Sequence, residues 1–381
     1  PESRIEALLE ALHRELDIRA DRLDELHGIH RAPLTSLYVG GGTPSLLSAA
    51  QVQLLLSHVD RRLGLVSDAE VTLEANPGPD EIGDLAGFRA AGIGRLSIGA
   101  QSMVDEELRR LGRRHRAGDV VAAVEAARKA GLDAVSLDLL TDVPGQTVMS
   151  WRATLEAVLA LAPEHLSAYT LTLDDPDAEG LTGTEGDHLP VSSGARAWRM
   201  RASVDQSEER AAEMELLTDD LASVAGLQRY EIANLARPGR ESRHNLLYWR
   251  RRPYLALGPG AHASDGHRRR TWNAARLDGY IDALVHDRLP PGGSETVDAA
   301  TALAESAILG LRLVAGIGPE LAAQPEVAPA LRWARSQALA EDVDGRTRFT
   351  QQGRLLANEV FSRLLPDERH SQLAAGQMSP R

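Results

Sequence analysis

Short apolar runs alternate with longer stretches of helical periodicity through the first half of the chain. The runs that predict buried strands are Ser36–Val39, Glu70–Leu73, Arg95–Ile98, Ala134–Leu139 and Leu166–Leu173. Between them, apolar residues recur three and four positions apart, which predicts helices at Leu46–Leu63, Ile82–Ala91, Leu108–Leu111, Asp119–Ala130 and Val148–Leu161. This alternation of strand and helix predicts an α/β fold with a parallel sheet and right-handed crossovers.

A helical pattern at Glu2–Asp24 precedes the first of these strands. Because a helix in an alternating pattern normally follows a strand, we expect the first strand of the sheet to be missing from this sequence. After the alternating part, Asp174–Arg196 is polar and without periodicity, which indicates a surface loop or insertion. Arg199–Val224 then has the pattern of a helix, and Tyr230–Ile232 that of a short strand.

The last third of the chain predicts a compact module of helices and one small strand. The helices are expected at Ala299–Arg312, Pro319–Ala323, Ala330–Ala340 and Gln352–Leu364, and the strand at Arg346–Phe349. This order resembles a winged-helix module. The polar stretch Asp367–Arg381 predicts a disordered tail.

Composition narrows the class of protein. The chain has 381 residues and a formal net charge of −13, which argues against general binding of nucleic acids. No apolar run approaches the roughly 18 residues of a membrane span, and no signal peptide is visible, so we expect a cytoplasmic protein. Cysteine is absent, which excludes disulfides, a thiolate nucleophile and cysteine-ligated metal within these residues.

Polar residues stand at or near the carboxyl ends of four successive predicted strands. They are Gly41, Gly42 and Thr43 after the first strand, then Glu74, Gln101 and Asp138. Ligands of parallel α/β sheets and barrels bind at this edge. A tight turn or a helix cap explains any one of these residues without a ligand, but four together at one edge favour a binding site.

The kinds of residue at this edge predict the kind of ligand. Glu74 and Asp138 can accept hydrogen bonds from an ammonium group or from ribose hydroxyls, and Gln101 can donate as well as accept. An arginine from the pair Arg113 and Arg114 can form a bidentate bond with a carboxylate. Together they suit a zwitterionic nucleoside, such as an amino acid joined to a ribose.

In chain order, the motifs GGGTPSLL, LEANPG, RLSIGAQS, LGRRH, SLDLL, VPGQT and HLSAYTL resemble those of the HemW-type haem chaperones and their relatives, the oxygen-independent coproporphyrinogen III oxidases. RYEIANLARPG, SRHNLLYW, YLALGPGAHA and RRTWN continue the resemblance to about Leu365. It implies a partial (β/α)6 radical-SAM barrel over residues 1–235 and a HemN-type C-terminal domain over 236–381, ending in the winged-helix-like module and the polar tail.

The resemblance also implies the cofactors and their contacts. S-adenosyl-L-methionine would lie at the strand ends, with its methionyl group at Gly41, Gly42 and Thr43. The remaining contacts would come from Glu74, Gln101, Arg113 and Asp138. The family also holds a 4Fe-4S cluster on the three thiolates of a CxxxCxxC loop, and this sequence has none of them.

Two explanations of the missing thiolates stay open. One is truncation, because the helix at Glu2–Asp24 resembles the one that follows the cluster loop in the family; the other is a degenerate homologue that never had the loop. A smaller departure is Thr141-Asp142-Val143, where relatives often have an apolar residue and a glycine before PGQT. Asp142 puts a charge near the strand ends there, and its purpose is open.

Arginines and aromatic residues are concentrated between residues 240 and 276. The arginines are Arg243, Arg250, Arg251, Arg252, Arg268, Arg269 and Arg270, and Tyr248, Trp249, Tyr254 and Trp272 lie among them. This composition predicts a docking surface for a flat anionic ligand such as a porphyrin with propionates. RNA and a solvated arginine surface are the alternatives.

His244, in the motif HNLLYW, is the candidate ligand of haem iron, because imidazole is a common axial ligand and relatives share the motif. The alternative is a histidine that hydrogen-bonds a loop. The resemblance therefore implies a haem chaperone with haem-accepting proteins as partners, and a homodimer is open. The alternatives are an oxygen-independent coproporphyrinogen III oxidase of porphyrin biosynthesis and a degenerate binding protein without radical chemistry, so enzymatic activity is undecided.

Overall fold

The computed structural model describes residues 2–28, 31–171, 199–200 and 202–365. The predicted polar loop at Asp174–Arg196 and the predicted tail at Asp367–Arg381 lie outside these residues. The described residues form two compact units. The first unit contains the described residues up to 229 together with residues 233–244. The second unit contains residues 230–232 and 245–365. The predicted boundary between 235 and 236 stays a prediction.

The first unit is built on one curled, half-barrel sheet of seven strands in the order β1-β2-β3-β4-β5-β7-β6. The strands are β1 (Leu34–Val39), β2 (Leu65–Ala75), β3 (Arg95–Gln101), β4 (Ala134–Thr141), β5 (His165–Thr170), β6 (Gln228–Arg229) and β7 (Asn234–Ala236). Strands β1 to β5 are parallel, as the alternating pattern predicts. The α/β class and the half-barrel sheet are thus confirmed.

Two short antiparallel strands at the sheet edge differ from the prediction. The pattern places one strand at Tyr230–Ile232, but β6 and β7 flank that segment, and Glu231 forms only an isolated bridge to Leu313. Strand β7 pairs antiparallel with β5, and β6 pairs antiparallel with β7. Segments of two and three residues carry too few positions for periodicity to mark them.

Helices cover the chain between the strands of the first unit. They are α1 (Glu2–His27), α2 (Ala49–Leu63), α3 (Leu85–Ala91), α4 (Asp105–Arg110), α5 (Ala117–Lys129), α6 (Val148–Ala160) and α7 (Glu208–Val224), with a 3-10 turn at Pro44–Leu46. Helix α2 begins later than predicted because Ser48 caps it. The Ser48 hydroxyl accepts from the Gln51 amide at 3.2 Å, and the Gln51 side chain accepts from the Ser48 amide at 2.8 Å.

The sheet has one apolar and one polar surface. Leu73, Leu96 and Leu137 are fully buried on the apolar surface, in a core shared with Phe88 of α3 and Trp151 of α6. Side chains alternate along each strand, so the other surface carries the intervening polar residues. In register across β2 to β5 these are Glu74, Ser97, Ser136, His165, Asp138 and Ser167. The polar surface extends to the strand ends where the candidate site lies.

The second unit contains a small antiparallel sheet and a helical module. Helix α8 (Arg243–Trp249) leads into it, and β8 (His262–Ser264), β9 (Arg269–Asn273) and β10 (Gly292–Thr296) form the sheet, with α9 (Leu277–Val285) before β10. The module comprises α10 (Ala299–Arg312), α11 (Pro319–Ala322), α12 (Ala328–Ser336), β11 (Ala340–Val343), β12 (Arg346–Phe349), α13 (Gln351–Leu355) and α14 (Ala357–Leu364). The predicted helices and strand are present; β11, which pairs with β12, lies partly where a helix was expected.

None of the helices in the described ranges has the length and apolarity to cross a lipid bilayer.

Candidate functional site

The turn after β1 depends on its glycines. Gly41 and Gly42 have φ angles of +91° and +69°, in the left-handed region that glycine adopts without strain. A Cβ at Gly40 would lie 2.7 Å from the Tyr38 ring and 2.9 Å from the Glu74 carboxylate. The three glycines therefore bring the main chain close to Glu74.

Glu74, near the end of β2, joins the ends of the first two strands. Its carboxylate accepts from the Tyr38 hydroxyl at 2.9 Å and from the Gly41 amide at 2.8 Å. Burial and the nearby carboxylates of Glu74 and Asp138 raise the pKa of Tyr38 far above its ordinary value. Tyr38 is therefore a permanent donor, and Glu74 is an oriented, half-buried carboxylate beside the glycine turn.

Gln101 is the last residue of β3, and it combines a positive φ angle with a buried side-chain amide. Its φ angle is +57°, it is buried, and its Oε1 atom has no hydrogen-bond partner among the described residues. A Cβ at Gly99 would approach the Gln101 Nε2 atom to 2.7 Å. A buried amide oxygen without a donor costs about 1–3 kcal/mol, so this atom is placed to accept a bond from a ligand or from water.

Thr43 connects the glycine turn to the loop that follows β2. The Asn76 amide donates to the Thr43 hydroxyl at 3.2 Å. Asn76 also lies beside Gly99, so the ends of β1, β2 and β3 meet in one place. The structure thus brings Gly41, Gly42, Thr43, Glu74 and Gln101 together at one edge of the sheet.

Asp138 lies three residues before the end of β4, deeper than the other candidates. Its carboxylate accepts from three serine hydroxyls: Ser97 at 2.7 Å, Ser167 at 2.8 Å and Ser136 at 3.2 Å. It is half-buried, and its charge contributes to the raised pKa of Tyr38. Asp138 therefore faces the same polar surface as Glu74, oriented by three neighbouring strands.

Arg113 lies in the loop between α4 and α5. The preceding Gly112 has a φ angle of +69°, and the neighbouring Arg114 lies 3.7 Å from Glu81, in the segment after β2. The guanidinium of Arg113 is exposed and makes no hydrogen bond or ion pair within the described ranges. Its pairing with the carboxylate of a ligand stays a prediction.

The polar surface below this edge contains residues that the sequence analysis did not single out. Arg95 is 5% exposed, and neither its guanidinium nor the Thr72 hydroxyl beside it has a hydrogen-bond partner among the described residues. His165 is buried and bonded to the Ser136 hydroxyl at 2.8 Å. Burial, and then the charge of Arg95, hold the pKa of His165 well below its ordinary value. Period-two alternation in RLSIGAQ and HLSAYT was the signal that could have identified this surface.

His244 begins α8 and lies against β1. Its Nδ1 atom is 2.9 Å from the Ser36 hydroxyl, and its ring stacks on Tyr38 with centroids 5.3 Å apart. Its backbone amide donates to Glu70 at 3.0 Å. Burial lowers the pKa of His244, so the ring is neutral at neutral pH. The hydrogen bond to Ser36 and the stacking on Tyr38 fix the orientation of the ring.

Asp142, whose purpose was open, has a structural role. It is 3% exposed with a φ angle of +56°, and the Arg210 guanidinium donates to its Oδ1 atom at 2.5 and 2.9 Å. The Ser207 amide donates to its other oxygen at 3.2 Å. Asp142 thus fixes the loop after β4 to the start of α7.

A 4Fe-4S cluster does not fit the residues present. The 381 residues include no cysteine, and the described ranges contain no group of three or more histidine and carboxylate side chains that could hold a metal ion. S-adenosyl-L-methionine does fit, since the unpartnered Gln101 oxygen, the glycine turn and the Glu74 carboxylate lie together at one edge. The edge of the sheet is therefore a candidate site for the nucleoside alone.

Comparison with known proteins gives consistent matches. Residues 11–158 match the family model of the Radical SAM superfamily. The chain is 36% identical over 290 residues to a protein of Synechocystis named heme chaperone HemW, covering 75% of this chain and 66% of that protein. It is 32% identical over 344 residues to the heme chaperone HemW of Bacillus subtilis, covering 87% and 86%. It is 34% identical over 358 residues to the heme chaperone HemW of Mycobacterium tuberculosis, covering 93% of this chain and 85% of that protein.

One solved structure shares the fold over nearly the whole chain. It is the coproporphyrinogen III oxidase HemN of Escherichia coli, described as a radical SAM enzyme. The TM-score is 0.75 at 22% identity, covering 96% of this chain and 84% of that one. At this identity the likeness establishes the architecture and does not distinguish oxidase from chaperone.

Proposed function

The chain belongs to the HemW family of the radical SAM superfamily, and on that premise we propose that it binds haem and delivers it to acceptor proteins. The observation that carries the proposal is the match to haem chaperones over most of their length, together with the motif at His244 that the sequence analysis singled out. Location in the cytoplasm is a further part of this proposal.

His244 is the proposed ligand of the haem iron. Its ring is neutral, and the Ser36 hydroxyl and Tyr38 ring hold it in one orientation. A neutral imidazole oriented by a hydrogen bond at one nitrogen is the usual form of an axial ligand. Loss of this side chain should therefore weaken haem binding and change the spectrum of the bound haem.

S-adenosyl-L-methionine is the second proposed ligand, at the edge of the sheet in the first unit. Glu74 would accept from its ammonium group, Arg113 would pair with its carboxylate, and Gly41, Gly42 and Thr43 would meet its methionyl part. Gln101 and Asp138 would contact the nucleoside. The family implies a 4Fe-4S cluster as well, but its ligands are not among these residues.

The first test is a haem titration followed by the Soret band. We expect saturable binding by the wild-type chain, a weakened and shifted band for His244→Ala, and no change for His286→Ala, an exposed histidine at the end of α9. Transfer is tested by mixing the haem-loaded chain with apomyoglobin as a generic acceptor. No binding by the wild-type chain would overturn the proposed function, whereas an unchanged His244→Ala titration would overturn only the role of His244.

The alternative function is oxidative decarboxylation of coproporphyrinogen III propionates. The shared fold with the Escherichia coli oxidase is consistent with it but does not favour it. A binding protein without radical chemistry is the other alternative, and the absence of cysteine from these 381 residues favours it.

A further inference from the structure

The second unit contains a pocket lined in part by the arginines between residues 240 and 276. Its volume is about 510 Å³, within the range of small-molecule sites. Its lining is strongly basic and includes Arg250, Arg251, His267, Arg268 and Arg346, with Trp249 beside them. No aspartate or glutamate is among the described residues that line it. Such a lining attracts an anion.

The arginines of the pocket differ in how they are neutralised. Arg251 pairs with Glu305 at 3.3 Å and donates to the Ser306 hydroxyl at 2.8 Å. Arg250, Arg268 and Arg346 have no carboxylate partner in the part of the chain that the structure describes. Three positive charges around one cavity therefore lack a counter-charge.

Two of these three guanidinium groups are held in place by the backbone. Arg268 donates through Nε to the Val297 carbonyl at 2.6 Å. Arg346 donates to the carbonyls of Ala315 at 2.7 Å and Gly316 at 2.6 Å. Carbonyl oxygens orient a guanidinium without neutralising it, so both groups keep their charge and lose part of their freedom before a ligand arrives.

Trp249 adds a donor and an aromatic surface. Its indole Nε1 atom is buried and has no acceptor among the described residues. The Arg312 guanidinium lies over the ring, 4.3 Å from its centroid. Ile317 and Leu321 supply apolar lining. A ligand with a flat apolar body and acceptor oxygens would satisfy the indole N–H as well as the arginines.

We propose that this pocket binds the propionate carboxylates of haem, with Arg250, Arg268 and Arg346 as their partners. Arginine pairs with carboxylate in a bidentate geometry, and the two propionates of haem supply two negative charges for three unpaired guanidinium groups. The edge of the macrocycle would lie against Trp249 and Leu321. The inference rests on the proposed haem binding and adds where the carboxylates are recognised.

The experiment compares haem with haem dimethyl ester, which keeps the iron and the macrocycle but has no free carboxylate. Binding is followed by the Soret band and by quenching of tryptophan fluorescence. We expect the wild-type chain to bind haem about tenfold more tightly than the ester, the difference that one good charged pair makes. We expect the double variant Arg250→Met/Arg268→Met to bind both ligands alike, and Arg332→Met, an exposed arginine of α12 outside the pocket, to behave as wild type.

The outcomes separate this inference from the proposed function. Equal binding of haem and ester by the wild-type chain would overturn the inference while leaving haem binding in place. Retention of the wild-type preference by the double variant would overturn the assignment to this pocket. No binding of either ligand by the wild-type chain would overturn the proposed function and the inference with it. The wild-type comparison needs no variant, so it holds even where the double variant fails to fold.

Discussion

Both oxygens of the Glu74 carboxylate accept hydrogen bonds from the chain itself, and this makes the residue a sensitive point of the site. The donors, the Tyr38 hydroxyl and the Gly41 amide, orient the carboxylate but carry no full positive charge. An ammonium group arriving at the remaining lone pairs would form the charged interaction that the site lacks.

We expect Glu74→Gln to weaken the binding of S-adenosyl-L-methionine by about tenfold or more, the cost of one charge-assisted hydrogen bond. The amide keeps the shape of the side chain and loses its charge. Isothermal titration calorimetry measures the change, and thermal unfolding checks that the fold is intact. Glu106→Gln, which removes an exposed carboxylate on α4, is the matched control. Equal affinities of wild type and Glu74→Gln would remove Glu74 from the site.

His165 predicts a dependence of stability on pH. Burial, and then the charge of Arg95, hold its pKa well below the ordinary value, so the folded chain keeps the ring neutral. In the unfolded chain this histidine takes up a proton near pH 6.5. The neutral ring therefore makes its full contribution to the stability of the folded chain above about pH 6.5, and this contribution is lost as the pH falls. The loss is about 1.4 kcal/mol per pH unit below that value.

Urea unfolding at about pH 7.5 and about pH 5.5 measures this effect. Between these two pH values, the free energy of unfolding of the wild type should fall by about 1.4 kcal/mol more than that of His165→Asn. The free energy of unfolding of His286→Asn, a change at an exposed site, should fall as much as that of the wild type. An identical fall in all three proteins would contradict the assignment of a neutral buried ring to His165.

At the scale of residues, the sequence identifies the candidates whose position follows from a strand end and misses those whose position follows from the sheet surface. Gly41, Glu74 and Gln101 follow directly from the ends of predicted strands. Asp138 was predicted from a strand end as well, although the structure places it deeper. Arg95 was missed, because its neighbours are set by the register between strands, which one sequence does not show. Their roles toward a ligand stay predictions.

At the scale of elements, a buried ion pair connects the loop after β4 to the start of α7, beside the hydrogen bond that the Ser207 amide donates to Asp142. Asp142 and Arg210 are 68 positions apart in sequence, and the pair closes the segment between them. A buried carboxylate that loses its partner costs about 3–5 kcal/mol, because the remaining charge stays desolvated. The stability of this connection should therefore be sensitive to either residue.

We expect Asp142→Asn to lower the free energy of unfolding by about 2–4 kcal/mol, since asparagine tolerates the positive φ angle and lacks the charge. Arg210→Met should cost a similar amount. The double variant should cost clearly less than the sum, because the two changes remove one interaction. Urea unfolding of the four proteins gives the coupling energy, and additive costs would show that the pair does not hold the loop.

Elements that repeat a period over several residues are predictable from this sequence, and very short or strongly capped ones are not. Helix α10 and strand β12 have their predicted limits, since apolar spacing determines both. Helix α2 starts at a capping serine inside its apolar pattern, and β6 and β7 are defined by pairing with residues far away in sequence. Pairing partners of this kind depend on tertiary structure.

At the scale of the whole molecule, the question is which chemistry these 381 residues can perform. The chain has the fold of a radical SAM protein and the sequence of the HemW family, but no thiolate for a 4Fe-4S cluster. The proposed haem binding uses imidazole, arginine and apolar surface, and the chain has all three. Binding and radical chemistry should therefore be separable in this protein.

We expect the 381-residue chain, supplied anaerobically with S-adenosyl-L-methionine, a reductant and coproporphyrinogen III, to form no decarboxylated product. The physical reason is that reductive cleavage of the sulfonium needs an iron–sulfur cluster, for which these residues have no cysteine ligand. Product is measured by chromatography after oxidation to the porphyrin, with the Escherichia coli oxidase as positive control. The same preparation should still take up haem with a Soret shift. Decarboxylation by the chain alone would contradict the separation of haem binding from radical chemistry, and it would favour the oxidase function over the chaperone function.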